Sequence, residues 1–142
     1  MAILIKELAS KEEMLTSFSL VNQMYEKMSY DEFSAALNEM IKRNDYKMVA
    51  AFLDGKMIGV CGYWIALMLY CGRYLQASTL VVDSNIRGKG VGRKILHHLE
   101  KKAKEENCQK LVLDSYTENK KSHSLYFREN FYIRGFHFMK DL

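Results

Sequence analysis

The chain lacks the features that would tie it to a secreted scaffold, a metal site or a membrane. Its three cysteines, Cys61, Cys71 and Cys108, are odd in number and show neither a CxxC pair nor Cys/His ligand spacing. No disulfide framework and no metal site is therefore indicated. No apolar run approaches the ~18 residues of a membrane span, and "MAILIKELAS" has no apolar stretch followed by a small-residue cleavage site. The longest apolar stretch, "VCGYWIALMLY", is strand-like and short. No internal repeat, low-complexity tract or linker interrupts the sequence. These absences point to a reducing cytoplasm and to no membrane partner.

What is present fits one globular domain spanning residues 1–142, with 49% hydrophobic and 27% charged residues. A chain of this length buries roughly two-thirds of its unfolded surface. The net charge of +4 permits an anionic partner without naming one. Much of the basic character lies in "HHLEKKAKEENCQK", where Glu100, Glu105 and Glu106 are interleaved with lysines. That is the pattern of a solvated helix face, not of a nucleic-acid surface.

The order of elements alternates. "AILIKEL" reads as a strand, and Ser10 with Glu13 resembles a capping box opening a helix on which Met14, Phe18, Val21 and Tyr25 recur at helical spacing. Ser29 precedes a second helix with Phe33, Leu37, Met40 and Ile41 as its apolar stripe. Asp54-Gly55 suits a tight primed turn between two strands. Arg73 to Asp83 supplies a further strand, and Gly90 to Asn107 a helix with Val91, Ile95, Leu99 and Ala103 on one face. "KLVLDSY" reads as a strand, "NKKSHSLYFREN" as a short helix, and "FYIRGFHFMKDL" as a closing strand pair or one bent strand. This succession predicts a mixed α/β (α+β) fold, a mixed sheet with helices on both faces.

The stretch "RGKGVGRK", Arg87 to Lys94, stands between a strand and a helix. Glycines there let backbone N–H groups approach a phosphate closely, and a helix N-terminus adds positive partial charge. The spacing excludes two well-known phosphate loops. A dinucleotide fingerprint counted from Gly88 and Gly90 needs glycine where Arg93 stands, and a P-loop needs GK[ST] where Arg93, Lys94 and Ile95 stand. A merely flexible basic turn is the bland alternative.

"RGKGVG" instead matches R/Q-x-x-G-x-G/A through Arg87, Gly90 and Gly92, the pyrophosphate-binding signature of the GNAT superfamily of N-acetyltransferases. "TLVVDSNIRGKGVG" resembles that family's fourth strand running into its coenzyme A loop, and "LDGKMIGVCGY" the hairpin before it. "NKKSHSLYFRENFY" is similar to the family's N-x-x-A-x-x-L-Y-x-x-x-G-F, with Asn119, Leu125, Tyr126 and Phe131 in register. The resemblance covers about Leu53 to the C-terminus and is to small single-domain bacterial-type members. It implies a central twisted mixed sheet with splayed fourth and fifth strands. Ser122 departs from the usual Ala, and Asn130 from the usual Gly, although Asn tolerates a left-handed backbone. In the fourth strand, where many members place a carboxylate base, "YLQASTLVVD" offers only Tyr74, Gln76, Ser78 and Thr79 before Asp83, so no base carries over.

The resemblance implies acetyl-CoA as cosubstrate, no metal, and transfer of acetyl to an amine on a small molecule or peptide. Backbone N–H groups from Arg87, Gly88, Lys89, Gly90, Val91 and Gly92 would hold the pyrophosphate, with the side chains of Arg87, Lys89, Arg93 and Lys94 adding attraction. Backbone groups of Leu80, Val81 and Val82 would face the pantetheine, a bulged N–H there polarising the thioester carbonyl. Asn119 would contact the pantetheine arm. Tyr126 is the expected general acid: a phenol of ordinary pKa about 10 stays protonated at neutral pH yet can stabilise a departing thiolate. His123, three residues earlier, is either a proton relay or a surface residue. No cysteine has an evident paired base for a covalent route. Two other classes stay open: a catalytically silent acyl-CoA sensor and a nucleic-acid-associated basic module, the latter disfavoured by the interleaved acids. The first two helices, about Met24 to Phe33, are expected to wall the acceptor cleft, and edge-to-edge sheet pairing into a homodimer suits so small a chain.

Overall fold

A computed structural model describes residues 2–142. The elements are β1 (Ile3–Leu8), α1 (Lys11–Leu15), α2 (Phe18–Met24), α3 (Tyr30–Asn44), β2 (Lys47–Leu53), β3 (Lys56–Met68), β4 (Gly72–Val82), α4 (Val91–Glu105), β5 (Lys110–Leu113) and α5 (Lys120–Arg128). They fall into two compact units, one ending at Val112 and the other comprising Leu113–Leu142.

The sheet has the order β1-β2-β3-β4-β5. The first four strands are antiparallel neighbours, and the crossover through α4 returns β5 beside the start of β4, where Gln109 N–H donates to Arg73 C=O at 2.6 Å. Because β5 has four residues against eleven in β4, the later half of β4 has no β5 opposite it. This is the mixed sheet that the sequence implies.

Local chemistry explains the boundaries. Ser29 and Glu32 form a reciprocal capping box at the start of α3, satisfying two backbone donors that the helix leaves unpaired. Asp54 and Gly55 both adopt positive φ, 50° and 79°, as a type I′ turn between paired strands demands. The expected single first helix is instead two short ones. The Thr16 and Ser17 hydroxyls bond back to Glu13 C=O and Met14 C=O, the latter at 2.6 Å, which interrupts the helix between α1 and α2.

One face of the sheet carries the core of Leu8, Met14, Leu20, Val21, Phe33, Leu37, Met48 and Val60 under α1 to α3. On α4, Val91, Ile95, Leu99 and Ala103 are all buried. The first two reach the sheet at Gly59, where a Cβ would come within 2.9 Å and 3.1 Å of them. Each such buried aliphatic contributes about 1.5–3 kcal/mol, so α4 is fixed at its N-terminal end.

The closing strand pair expected over residues 131–142 does not form: no residue there is in a strand. A strand needs a hydrogen-bonded neighbour. Within its own unit the preceding chain is turn and helix, with only Leu113 in a strand. Tyr132, Ile133, Phe136, Phe138 and Met139 are exposed.

Candidate functional site

The turn between β4 and α4 begins at Asp83, a buried carboxylate. Its Oδ1 accepts the Asn85 N–H at 3.1 Å, its C=O accepts the Ile86 N–H at 2.9 Å, and its own N–H donates to Ile58 C=O at 2.8 Å. This Asx turn bends the chain away from the strand end. Gln23 on α2 steadies it, its Oε1 accepting the Ser84 N–H at 3.1 Å.

The glycines then do what only glycine does cheaply. Gly88 has φ 87° and Gly90 φ 77°, both in the left-handed region that costs other residues energy. An added Cβ at either would meet nothing within 4 Å, so the backbone lies open on that side. Gly90 is the N-cap of α4 and no side chain caps the helix. The internal ladder begins only at Lys94 N–H to Gly90 C=O, 3.1 Å, which leaves the first-turn N–H groups, Val91 and Gly92 foremost, pointing out of the helix end. Gly92 itself lies within the helix. Around this end Arg87, Lys89, Arg93 and Lys94 are exposed, and among the described residues Arg87, Lys89 and Lys94 make no ion pair. Open backbone, oriented N–H groups and uncompensated cations together fit a di-anionic phosphate group.

Upstream, Leu80, Val81 and Val82 end β4, directly before this turn. The pairing of Val60 with Val81 and of Gly62 with Ser78 leaves Cys61 opposite two residues, Thr79 and Leu80. That two-against-one count is a β-bulge. At it Thr79 takes φ 57°, and its Oγ1 lies 3.3 Å from the Tyr25 hydroxyl. The Cys61 thiol is buried, donates to Ser78 C=O at 3.6 Å, and is pushed up to about 12 by burial, which the Ser78 bond only partly offsets. It is therefore a protonated thiol and no nucleophile.

Asn119 and Tyr126 lie in the second unit. Asn119 is the N-cap of α5, its Oδ1 accepting the Ser122 N–H at 3.4 Å, so the cap uses the amide oxygen and keeps the NH2 group available to donate. Tyr126 is half-buried, with its ring 5.9 Å from that of Phe131 in an edge-on arrangement. The Phe131 N–H donates to Tyr126 C=O and the Asn130 N–H to Phe127 C=O. With Asn130 at φ 67° this is a Schellman end to the helix, the left-handed turn that asparagine in place of the usual glycine is expected to keep. His123 Nε2 lies 2.8 Å from Tyr116 C=O, holding the turn before α5.

The structure thus brings Leu80 to Val82, Arg87 to Gly90 and Val91 to Lys94 into one continuous strand, turn and helix. Sequence reasoning put Tyr25 on the first helix's apolar stripe and within the acceptor wall of Met24 to Phe33, passed over Thr79 as a base, and gave no functional role to Asp83 or Gln23. Of the last two only Asp83 carried a readable signal, an Asp followed by Ser-Asn at a strand end.

The sequence model of the acetyltransferase (GNAT) family matches residues 12–131. Over 139 residues the chain is 23% identical to the N-acetyltransferase YhdJ of Bacillus subtilis, covering 97% of this chain and 98% of that protein. Among solved structures it resembles glucosamine-6-phosphate N-acetyltransferase from Arabidopsis thaliana, with TM-score 0.75, 23% identity, and 99% of each chain covered. It also resembles the aminoglycoside N-acetyltransferase AAC(6')-Iy in complex with CoA, with TM-score 0.81, 18% identity, and 99% and 96% of the two chains covered.

Proposed function

This chain belongs to the GNAT family of acetyltransferases, and on that premise we propose that it carries the acetyl group of acetyl-CoA to a primary amine by direct attack in a ternary complex. The observation that carries this reading is the turn from Asp83 to Gly92, with Gly88 and Gly90 at positive φ and a helix end capped by no side chain. A pyrophosphate offers the charge that such an end takes up.

Acetyl-CoA supplies the acyl group as a thioester. The N–H groups from Arg87 to Gly92 hold the pyrophosphate, and Arg87, Lys89, Arg93 and Lys94 draw it in at longer range. The backbone of Leu80 to Val82 lines the pantetheine arm, and the bulged N–H beside Thr79 faces the thioester carbonyl, where negative charge develops as the amine attacks. The Asn119 amide donates to the arm. Tyr126 delivers a proton to the departing sulfur, which avoids release of a bare thiolate. The acceptors named for similar proteins, glucosamine 6-phosphate and aminoglycosides, set the first amines to try.

The test is a thermal-shift series. A ligand that binds only the native state stabilises it by about 2.7 kcal/mol at a hundredfold excess over Kd. CoA and acetyl-CoA should raise the melting temperature by several degrees, and ATP and NAD by much less. A series in which all four behave alike, or none acts, removes the assignment of the loop.

A further inference from the structure

We infer that the Tyr25 and Thr79 hydroxyls form the acceptor-side proton path of this enzyme, Thr79 receiving the proton of the attacking amine and Tyr25 passing one to solvent. The inference rests on the transfer reading above and supplies what that reading lacks. Strand β4, GRYLQASTLVV, contains no Asp, Glu or His, so no side chain of ordinary basicity lies on it.

Thr79 is the outlier of that strand. Among the described residues five non-glycine positions have positive φ, and four of them are Asp or Asn; Thr79 alone is β-branched. Asp and Asn tolerate this region through their short polar side chains, whereas a β-branched residue is strained there. Strain of that kind persists where the surroundings hold it and marks a site under functional constraint. Glycine or asparagine would meet the backbone demand of the bulge at lower cost. What threonine adds is a hydroxyl.

That hydroxyl has one described partner, the Tyr25 oxygen at 3.3 Å, from a residue 54 positions earlier. Tyr25 is the C-cap of α2, its N–H bonded to Val21 C=O at 3.0 Å. The segment after it is held by Asn22 Nδ2, which donates to the carbonyls of Tyr25 at 2.9 Å and Met28 at 3.0 Å. Tyr25 and Thr79 are both half-buried, so the pair runs between the strand and solvent. Behind it the Tyr46 phenol, aimed at Gly62, is pushed up chiefly by burial and then by Cys61 and Tyr25. Tyr46 and Cys61 both stay neutral there.

The step balances without a co-reactant. As the nitrogen bonds to the acyl carbon it sheds a proton to Thr79 Oγ1. The proton of Thr79 moves to the Tyr25 oxygen, and that of Tyr25 moves to water. Both hydroxyls end neutral, as they began. The same bulge that turns a backbone N–H toward the carbonyl therefore turns a hydroxyl toward the amine.

Thr79→Val preserves shape and branching while deleting the hydroxyl, Thr79→Ser preserves the hydroxyl, and Tyr25→Phe deletes only the phenolic oxygen. Single-turnover thiol release is measured with acetyl-CoA and a panel of glucosamine 6-phosphate, an aminoglycoside, spermidine and a lysine peptide, beside calorimetric affinity for acetyl-CoA and the melting temperature. Thr79→Val should lower the acyl-transfer rate on the order of 10- to 100-fold, the low end of general-base effects because water can substitute in part. Affinity for acetyl-CoA should be unchanged. Thr79→Ser should recover the loss, and Tyr25→Phe with Thr79→Val should be no slower than Thr79→Val alone, as two groups on one path require. A folded Thr79→Val protein with wild-type transfer overturns the proposal and leaves the transfer reading intact. A folded Tyr25→Phe protein at the wild-type rate removes Tyr25 from the path. Wild-type protein that releases no thiol above the amine-free control with these four amines or with a pool of amines, metabolites and peptides overturns the transfer reading, and the proton path with it.

Discussion

Tyr126 is the residue on which transfer and binding separate. Its ring packs edge-on against Phe131, a contact that Tyr126→Phe preserves. The variant should fold and bind acetyl-CoA as before, while transfer slows on the order of 10²-fold if protonation of the sulfur limits the rate. Calorimetric affinity paired with single-turnover thiol release reads both; an unchanged rate moves the acid role to another group or to solvent, and joint collapse makes the hydroxyl a binding group. Some backbone conformations were legible because they sit inside short local motifs. Gly90, Asn119 and Asn130 each meet a backbone demand set by their immediate neighbours, a left-handed φ or a helix cap, and such demands leave a trace in sequence. The pairing of Tyr25 with Thr79 left none. Their partnership spans 54 residues and depends on a bulge, and nothing in "QASTLVV" announces where a strand will take an extra residue.

At the scale of elements, the strand β4, its turn and α4 act as one device. Burial of Val91 and Ile95 against Gly59 fixes the helix end, and Asp83 fixes the strand end. Between them the glycines shape the turn. Gly90→Val forces a β-branched residue to φ 77°, a conformation costing roughly 1–2 kcal/mol for an ordinary L-residue and more with branching. Since a side chain there meets open space, the penalty falls on the turn and the ligand face while the core is untouched. The expected outcome is a folded domain with CoA affinity reduced at least tenfold by calorimetry; retained affinity would put the phosphate elsewhere. Elements defined by their own sequence were readable in advance, among them the Asp54-Gly55 hairpin and the apolar stripe of α4. The two that differed depend on interactions a pattern does not contain. Hydroxyls at Thr16 and Ser17 that bond back to the preceding turn split the first helix, and the run from Phe131 to Leu142 has strand-like composition but no strand beside it within its unit.

Across the chain, charge is distributed by element. The net charge of +4 is not spread evenly in effect. On α4 Lys102 and Lys104 pair with Glu106 and Glu100, exposed bridges worth little individually, whereas Arg87, Lys89 and Lys94 face solvent with no such partner among the described residues. The surplus charge therefore gathers at the turn proposed above to take up a polyanionic cosubstrate, whose capture it would favour. The family and the fold stand on the match over residues 12–131; what the chain does with a bound acyl group is the claim that most needs a direct measurement. That measurement is mass spectrometry of the wild-type protein incubated with acetyl-CoA and pooled amines, metabolites and peptides, with free thiol followed in parallel. The expected result is amine-dependent release of CoA thiol, matched mole for mole by one N-acetylated product and absent without protein. Tight binding of acetyl-CoA with no thiol released above the amine-free control, across the whole pool, would contradict it and make the protein a silent acyl-CoA sensor.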